Sequence, residues 1–286
     1  MKTVDIFRLL ILGALWGSSY LFMKMVAPVI GVTNTVGIRI IIAAVLLLII
    51  FGFSGKLPEF RKYWKQYILL GILNLVLPFA LITYSMLYLN ASMGAIINAT
   101  TPLFALLVGV IWNKESLSGA KVTGLVLGFI GVVLLVGWNP LPADAMVYLA
   151  MAMGLAAALS YAIAAAYTRK KFSGAAPQKT AAGQMTAAAI LLLPLVLSGN
   201  AGTVPFSNTV AYSLLFLAVG CTAIAYTLYF QLITSAGPMK ATLVTFLVPV
   251  FSLVWSVIFL QEIITAGILI SLAFILGGLY MVIARK

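Results

Sequence analysis

The chain has 286 residues, of which 64% are apolar and 8% charged, with a mean hydropathy of +1.18. A soluble domain holds roughly 45–50% apolar and about 25% charged residues, so in water this chain would expose more apolar surface than a monomer tolerates. In lipid that surface needs no cover, because helices satisfy their own backbone groups. The net charge of +12, from 17 Lys and Arg against 5 Asp and Glu, does not make a nucleic-acid binder. The basic residues fall in the breaks between apolar runs and form no soluble basic face.

A membrane-spanning helix takes about 20 mostly apolar residues, and on that measure ten spans follow one another along the chain. The first, 7–27, comes after Lys2 and Arg8 and resembles a signal peptide. No small-residue cleavage site follows it, and it is read as a helix that stays. It holds Gly13-Ala14-Leu15-Trp16-Gly17-Ser18-Ser19, with Lys24 at its end. The second, 33–53, carries Arg39 and ends at Ser54-Gly55-Lys56-Leu57-Pro58. The third, 67–89, has Pro78, Tyr84 and Tyr88; the fourth, 93–112, has Asn98, Thr100, Thr101 and Pro102, and Glu115 follows it. The fifth, 119–138, contains the GxxxG run 124–128 and stops at Asn139-Pro140. The sixth, 145–167, carries Ser160 and Tyr161; the seventh, 180–198, stops before the turn 202–205. The eighth, 209–233, holds the one cysteine, Cys221, with Tyr226, Tyr229 and Gln231. The ninth, 240–260, carries Thr245 and Pro249, with Glu262 just beyond it, and the tenth is 264–284.

Charge orients these spans. With the N-terminus in the cytoplasm, alternate loops place fifteen Lys and Arg inside (Lys2, Arg8, Lys56, Arg61, Lys62, Lys65, Lys114, Lys121, Arg169, Lys170, Lys171, Lys179, Lys240, Arg285, Lys286) and only Lys24 outside. That bias follows the positive-inside rule and puts both termini in the cytoplasm. A missed or invented span would scramble it.

The chain also repeats. Residues 102–106 (PLFAL) match 249–253 (PVFSL) at an interval of 147, and Val110-Ile111 with Val257-Ile258, Glu115 with Glu262 and Gly131 with Gly278 follow without a gap. Tyr84 and Tyr229 sit at 145, a shift of two. The reading is an all-α integral membrane protein of ten helices, divided into 1–139 and 140–286. Five spans per half invert the second copy relative to the first. Inverted repeats are a common plan of secondary transporters, with substrate held near the midplane between the halves.

These residues carry a family likeness. Ala14-Leu15-Trp16-Gly17-Ser18-Ser19, Arg39 and the paired segments 102–115 and 249–262 resemble the drug/metabolite transporter superfamily, in its EamA-type ten-helix branch, over essentially the whole chain. Within that branch the chain resembles bacterial exporters of amino acids, including aromatic ones. The resemblance implies helices one to four and six to nine around a central cavity, with five and ten peripheral, in the bacterial inner membrane.

The chemistry available is narrow. No acidic residue lies deep in any span, and the small multidrug branch's first-helix glutamate has no counterpart here. Proton relays commonly use an intramembrane carboxylate or histidine, so facilitated diffusion or exchange fits better than proton coupling. Glu115 and Glu262 suit end-caps or gate contacts. Arg39 either snorkels from near the outer end of its span or attracts a substrate carboxylate. The expected cavity lining is Trp16, Ser19, Arg39, Tyr84, Asn98, Thr101, Tyr161, Tyr226, Tyr229 and Thr245. Against it stands the ordinary habit of Ser and Thr to bond their own helix and of Tyr and Trp to mark the membrane interface. Pro102 and Pro249, equivalent in the repeat, are expected hinges, with a static kink the alternative. The GxxxG runs 13–17 and 124–128 suit packing within one chain better than dimerisation.

No nucleotide loop, metal set, cofactor site or catalytic pair is present, so an enzyme is disfavoured. The expected function is a secondary transporter exporting amino acids or similar small metabolites, as a monomer or weak dimer in lipid. The alternatives are export of lipophilic drugs, import of a nucleoside-like metabolite, or an ion channel.

Overall fold

A computed structural model describes residues 2–114, 118–138, 140–198 and 207–284. Glu115, Asn139, Arg285, Lys286 and the turn 202–205 lie outside the described residues. The described residues form helices and turns with no strand: α1 (Thr3–Gly52), α2 (Phe60–Gly71), α3 (Leu77–Ser85), α4 (Ala91–Asn98), α5 (Thr101–Asn113), α6 (Gly119–Gly137), α7 (Ala145–Lys171), α8 (Pro177–Ser198), α9 (Asn208–Ala218), α10 (Ala225–Ala236), α11 (Pro238–Ala241), α12 (Val244–Leu260) and α13 (Ala266–Ala284). Among the described residues seven helical stretches are long and apolar enough to cross a membrane. In these, α2–α3, α4–α5 and α9–α10 each run as one stretch across an irregular turn, and Val244–Leu260 and Ala266–Val282 are shorter apolar helices.

The 50 residues of α1 would extend about 75 Å at 1.5 Å per residue, more than twice the roughly 30 Å of a hydrocarbon core. The backbone breaks at Gly31, with φ 79° and ψ 163°. That region is open almost only to glycine, and nothing lies within 4 Å of where a Cβ would stand. The break falls between the first two predicted spans, so one turn residue separates them where the sequence suggested a short loop.

Two irregularities recur at fixed intervals. Single π-helical turns occupy Ile72–Val76, between α2 and α3, and Val219–Ile224, between α9 and α10. Their starts are 147 residues apart, the interval of the sequence repeat. The C-caps of α5 and α12 are both left-handed non-glycine residues, Lys114 (φ 53°) and Gln261 (φ 55°), again 147 apart. Pro102 lies in the first turn of α5, just after the break at Ala99–Thr100, where its missing N–H costs no helical bond. Pro249 lies inside α12.

Close helix approach is built on small residues. A Cβ at Gly17 would stand 2.9 Å from the Ser252 amide nitrogen and 2.9 Å from the Val248 carbonyl oxygen, so α1 packs directly on α12. Trp255 Nε1 fastens that joint by donating to the Ala14 carbonyl at 3.1 Å. The α6–α13 pair is reciprocal. A Cβ on Gly131 would meet the Ser271 carbonyl at 2.8 Å, and one on its repeat mate Gly278 would run into the Gly124 carbonyl. Both GxxxG runs are thus spent on contacts within the chain. Two large apolar clusters fill the bundle, one through Leu12, Met86, Ile96 and Val244, the other through Ile40, Leu47, Leu75 and Met185. Tyr161 and Tyr229 pack against both. The seam between the clusters is where the polar groups collect.

Candidate functional site

Arg39 is at the centre of that seam. It lies eight residues past the Gly31 break, about 12 Å along the helix, and is only 4% exposed. Burial and partners exclude snorkelling to the interface. Its Nε donates to Thr222 Oγ1 at 2.7 Å, Nη2 to Ser19 Oγ at 3.4 Å and Nη1 to the Met23 thioether at 3.6 Å. The guanidinium also lies 4.1 Å from the Phe79 ring centroid. The first half of α1, the second half of α1, α3 and the second π-helical turn therefore converge on one cation.

The π-helical turn explains how Thr222 is held. Its hydroxyl donates to the Leu217 carbonyl, five residues back, at 2.8 Å, while its lone pairs accept from Arg39. A wide turn displaces a carbonyl from the regular ladder, and π-turns of this kind concentrate at functional sites. Next to it Cys221 Sγ lies 3.4 Å from Ser18 Oγ, and Ser18 also bonds the Leu15 carbonyl.

Aromatic rings form the rest of the wall. Trp16 stands 5.2 Å from Tyr229 and 6.3 Å from Tyr226, the latter edge-on. Tyr161, Tyr226 and Tyr20 all lie within electrostatic reach of Arg39. Six of the predicted residues are thus gathered: Trp16, Ser19, Arg39, Tyr161, Tyr226 and Tyr229. Asn98 of α4 lies near Tyr20.

Three predicted residues are used differently. Tyr84 pairs with Tyr88 at 5.5 Å, on the side facing Asp144, and has no ring contact or hydrogen bond with the Arg39 cluster among the described residues. Thr101 donates to the Asn98 carbonyl and Thr245 to the Thr242 carbonyl, each at 2.7 Å and three residues back. Both hydroxyls seal helix breaks that precede the repeat-related prolines Pro102 and Pro249.

Thr222, Tyr20, Met23 and Phe79 also belong to the cluster and are not among the residues expected from sequence. Met23 was readable in principle, one helical turn after Ser19 and so on its face. Thr222 was not, because only the π-turn aims it inward. A second polar joint was also overlooked: Asn74 Nδ2, in the first π-helical turn, donates to Gln184 Oε1 of α8 at 2.9 Å. Gln184 follows Arg39 by 145 residues, the same interval as Tyr84 and Tyr229.

The four described acidic residues lie elsewhere. Asp5 accepts from Ser235 Oγ at 2.7 Å and Arg8 at 3.1 Å. Glu59 pairs with Lys179 at 2.6 Å, a bond that holds its carboxyl below the ordinary range. Asp144 accepts from the Met146 amide at the start of α7. Glu262 accepts from the Ala91 amide at 2.7 Å and from Ser92 Oγ at 2.8 Å, capping α4. Lys24 donates to the Leu89 carbonyl beside that cap. The groove between α5 and α6, lined by Leu107, Leu125, Phe129 and Val133, is wholly apolar and offers a polar solute no partner.

Comparison with known proteins decides the class. The model of the EamA-like transporter family matches residues 5–137 and again 148–284. The chain belongs to the EamA-like transporter family. It is 28% identical over 290 residues to the uncharacterized transporter YvbV of Bacillus subtilis (strain 168), covering 98% of this chain and 92% of that one. To protein PecM of Dickeya dadantii (strain 3937) it is 25% identical over 276 residues, covering 93% and 88%. A solved crystal structure superposes with a TM-score of 0.69 at 18% identity, covering 98% of this chain and 96% of the other, which speaks to the fold alone. As an EamA-like protein the chain is a multi-pass membrane transporter of a small molecule and not an enzyme.

Proposed function

We propose that this EamA-like transporter is a secondary carrier that exports amino acids or similar small metabolites across the bacterial inner membrane by alternating access. The observation that carries this reading is the buried cluster of Arg39, Ser19 and Thr222 walled by Trp16, Tyr161, Tyr226 and Tyr229. It combines one fixed cation, hydroxyls and aromatic faces, which suits a small solute with both a polar and an apolar end. Aromatic faces also attract an ammonium group. The four described acids sit at helix ends, which favours facilitated diffusion or exchange over proton coupling.

The recurrence of π-turns, left-handed caps and glycine contacts at the repeat interval supports two inverted five-helix halves, 1–139 and 140–286. In that reading the break at Gly31 and the two shorter helices complete ten spans, with both termini cytoplasmic. Two halves of similar packing differ little in energy when they exchange roles, as alternating access requires. Pro102, next to the break sealed by Thr101, and Pro249, inside α12 beyond the break sealed by Thr245, serve as hinges. Because both GxxxG faces are used internally, the protein works as a monomer or a weak dimer.

Proteoliposomes loaded with a panel of labelled amino acids, nucleosides and cationic dyes test the cargo. Counterflow of at least one amino acid is expected. Movement of dyes or nucleosides alone would move the reading to the drug or nucleoside class, and ion conduction alone would make it a channel. Topology is testable separately. Cys221 is buried, so single cysteines placed at Ser54→Cys and Pro142→Cys report cleanly, with only the second expected to react from outside the cell.

A further inference from the structure

We propose that Arg39 is the anchor for a carboxylate of the transported molecule, with Thr222 and Ser19 orienting its guanidinium. This rests on the carrier reading above and names the chemical handle by which the cargo is held.

Charge is the first argument. A buried cation is ordinarily matched by an anion, because its desolvation is otherwise uncompensated. Of the five acids in the chain, the four described are committed elsewhere: Asp5 to Ser235 and Arg8, Glu59 to Lys179, Asp144 to the α7 cap and Glu262 to the α4 cap. Among the described residues the partners of Arg39 are a hydroxyl, a second hydroxyl, a thioether and a ring, all neutral.

Geometry is the second. The three nitrogens are held unequally. The Nε–Thr222 bond is short, 2.7 Å, whereas the terminal nitrogens make a long bond to Ser19 at 3.4 Å and a weak one to sulfur at 3.6 Å. Guanidinium has five N–H groups and these bonds use three. The fork is therefore fixed at its base and weakly engaged at its tips, the arrangement that lets it turn two parallel N–H groups to a carboxylate. Trp16, Tyr226 and Tyr229 are placed to receive the remainder of the solute.

A purely structural tie between helices would not need a charge at Arg39. At the other π-helical turn, Gln184 and Asn74 make that kind of tie with neutral groups at 2.9 Å. A neutral pair suffices for packing there, so packing does not demand the charge at Arg39.

The test is competition against counterflow of labelled phenylalanine and threonine in proteoliposomes, by each amino acid and by its carboxamide, which keeps size and the amine and removes the anion. For the wild-type carrier the carboxamides are expected to compete about tenfold to a hundredfold more weakly, the range of a lost charge-assisted bond pair. Arg39→Gln is expected to lose counterflow while keeping its detergent melting temperature, and to lose the thermal stabilisation that phenylalanine gives the wild type. Equal competition by acid and amide would overturn the assignment while leaving the amino-acid carrier intact. Transport of dyes or nucleosides with no amino acid moved would overturn the carrier's cargo as well. The acid–amide comparison uses the wild-type protein, so it decides the matter even if Arg39→Gln does not fold.

Discussion

In one polar joint Arg39 reaches from the second part of α1 to Thr222 in a π-helical turn. In the other, Gln184 of α8 receives a bond from Asn74 in the matching π-helical turn. The scaffolding around the two joints is alike: a wide turn in a broken helix, one polar group within it, and one polar side chain crossing from a neighbouring helix. Their chemistry is not alike, because one crossing side chain is a buried cation and the other a neutral amide. The difference separates what the fold requires from what the cargo requires. A hydrogen bond into the wide turn serves both joints, and the charge serves one.

If packing is symmetric and charge is not, substitutions should divide along that line. The largest structural effect is expected at the reciprocal glycines. Gly131→Val and Gly278→Val each drive a side chain into a facing carbonyl, and overpacking of this kind costs about 1–3 kcal/mol or more. Both should lower the detergent melting temperature strongly and to a similar extent. A large loss from one and none from the other would break the symmetry of the α6–α13 joint. Next, Thr222→Ala removes the partner of the Arg39 base and is expected to slow counterflow roughly tenfold, in keeping with a lost bond to a charged group. Thr222→Ser should restore most of it. Asn74→Ala, the equivalent change in the neutral joint, should change counterflow by less than about threefold, a neutral bond being worth about half as much.

How far these features were readable in the sequence depended on whether they were periodic. Apolar run length marked the membrane helices, and the paired Pro, Glu and Gly positions revealed the interval at which π-turns, caps and glycine contacts recur. Trp16, Ser19, Arg39, Tyr161, Tyr226 and Tyr229 were readable as a set because polar and aromatic residues stand out in apolar spans. Tyr84, Thr101 and Thr245 stood out equally, yet Tyr84 pairs with Tyr88 and the two threonines spend their hydroxyls on helix breaks. Composition cannot tell a hydroxyl that faces a solute from one that faces its own carbonyl. Thr222 and Phe79 were invisible for a related reason: their aim depends on a π-turn and on helix crossings that no local pattern encodes. The length of α1 was likewise hidden, because Gly31 turns the chain without the usual loop residues.

Gly31 gives a smaller prediction. Its backbone conformation, not its surroundings, forbids a side chain, so Gly31→Ala should cost about 1–3 kcal/mol although nothing collides, lowering the melting temperature with little change in substrate preference. The smallest effect is expected at the Glu59–Lys179 pair, which is partly exposed on both sides and so weakly stabilising. The bond lowers the Glu59 pKa in the folded state. Its contribution is therefore present above the usual carboxylate range, near about 4.3, and fades as pH falls through the folded value. Glu59→Gln should leave melting at neutral pH almost unchanged and flatten only the acid limb of its pH profile.

The most direct test of the two-joint comparison is phenylalanine counterflow measured side by side for Arg39→Gln and Gln184→Leu in the same liposomes. Arg39→Gln converts the charged joint to its neutral counterpart, and a loss of about a hundredfold is expected, against less than about threefold for Gln184→Leu. Equal losses in the two variants, with both proteins folded, would mean that the joints are only braces and that the charge of Arg39 has no part in holding the cargo.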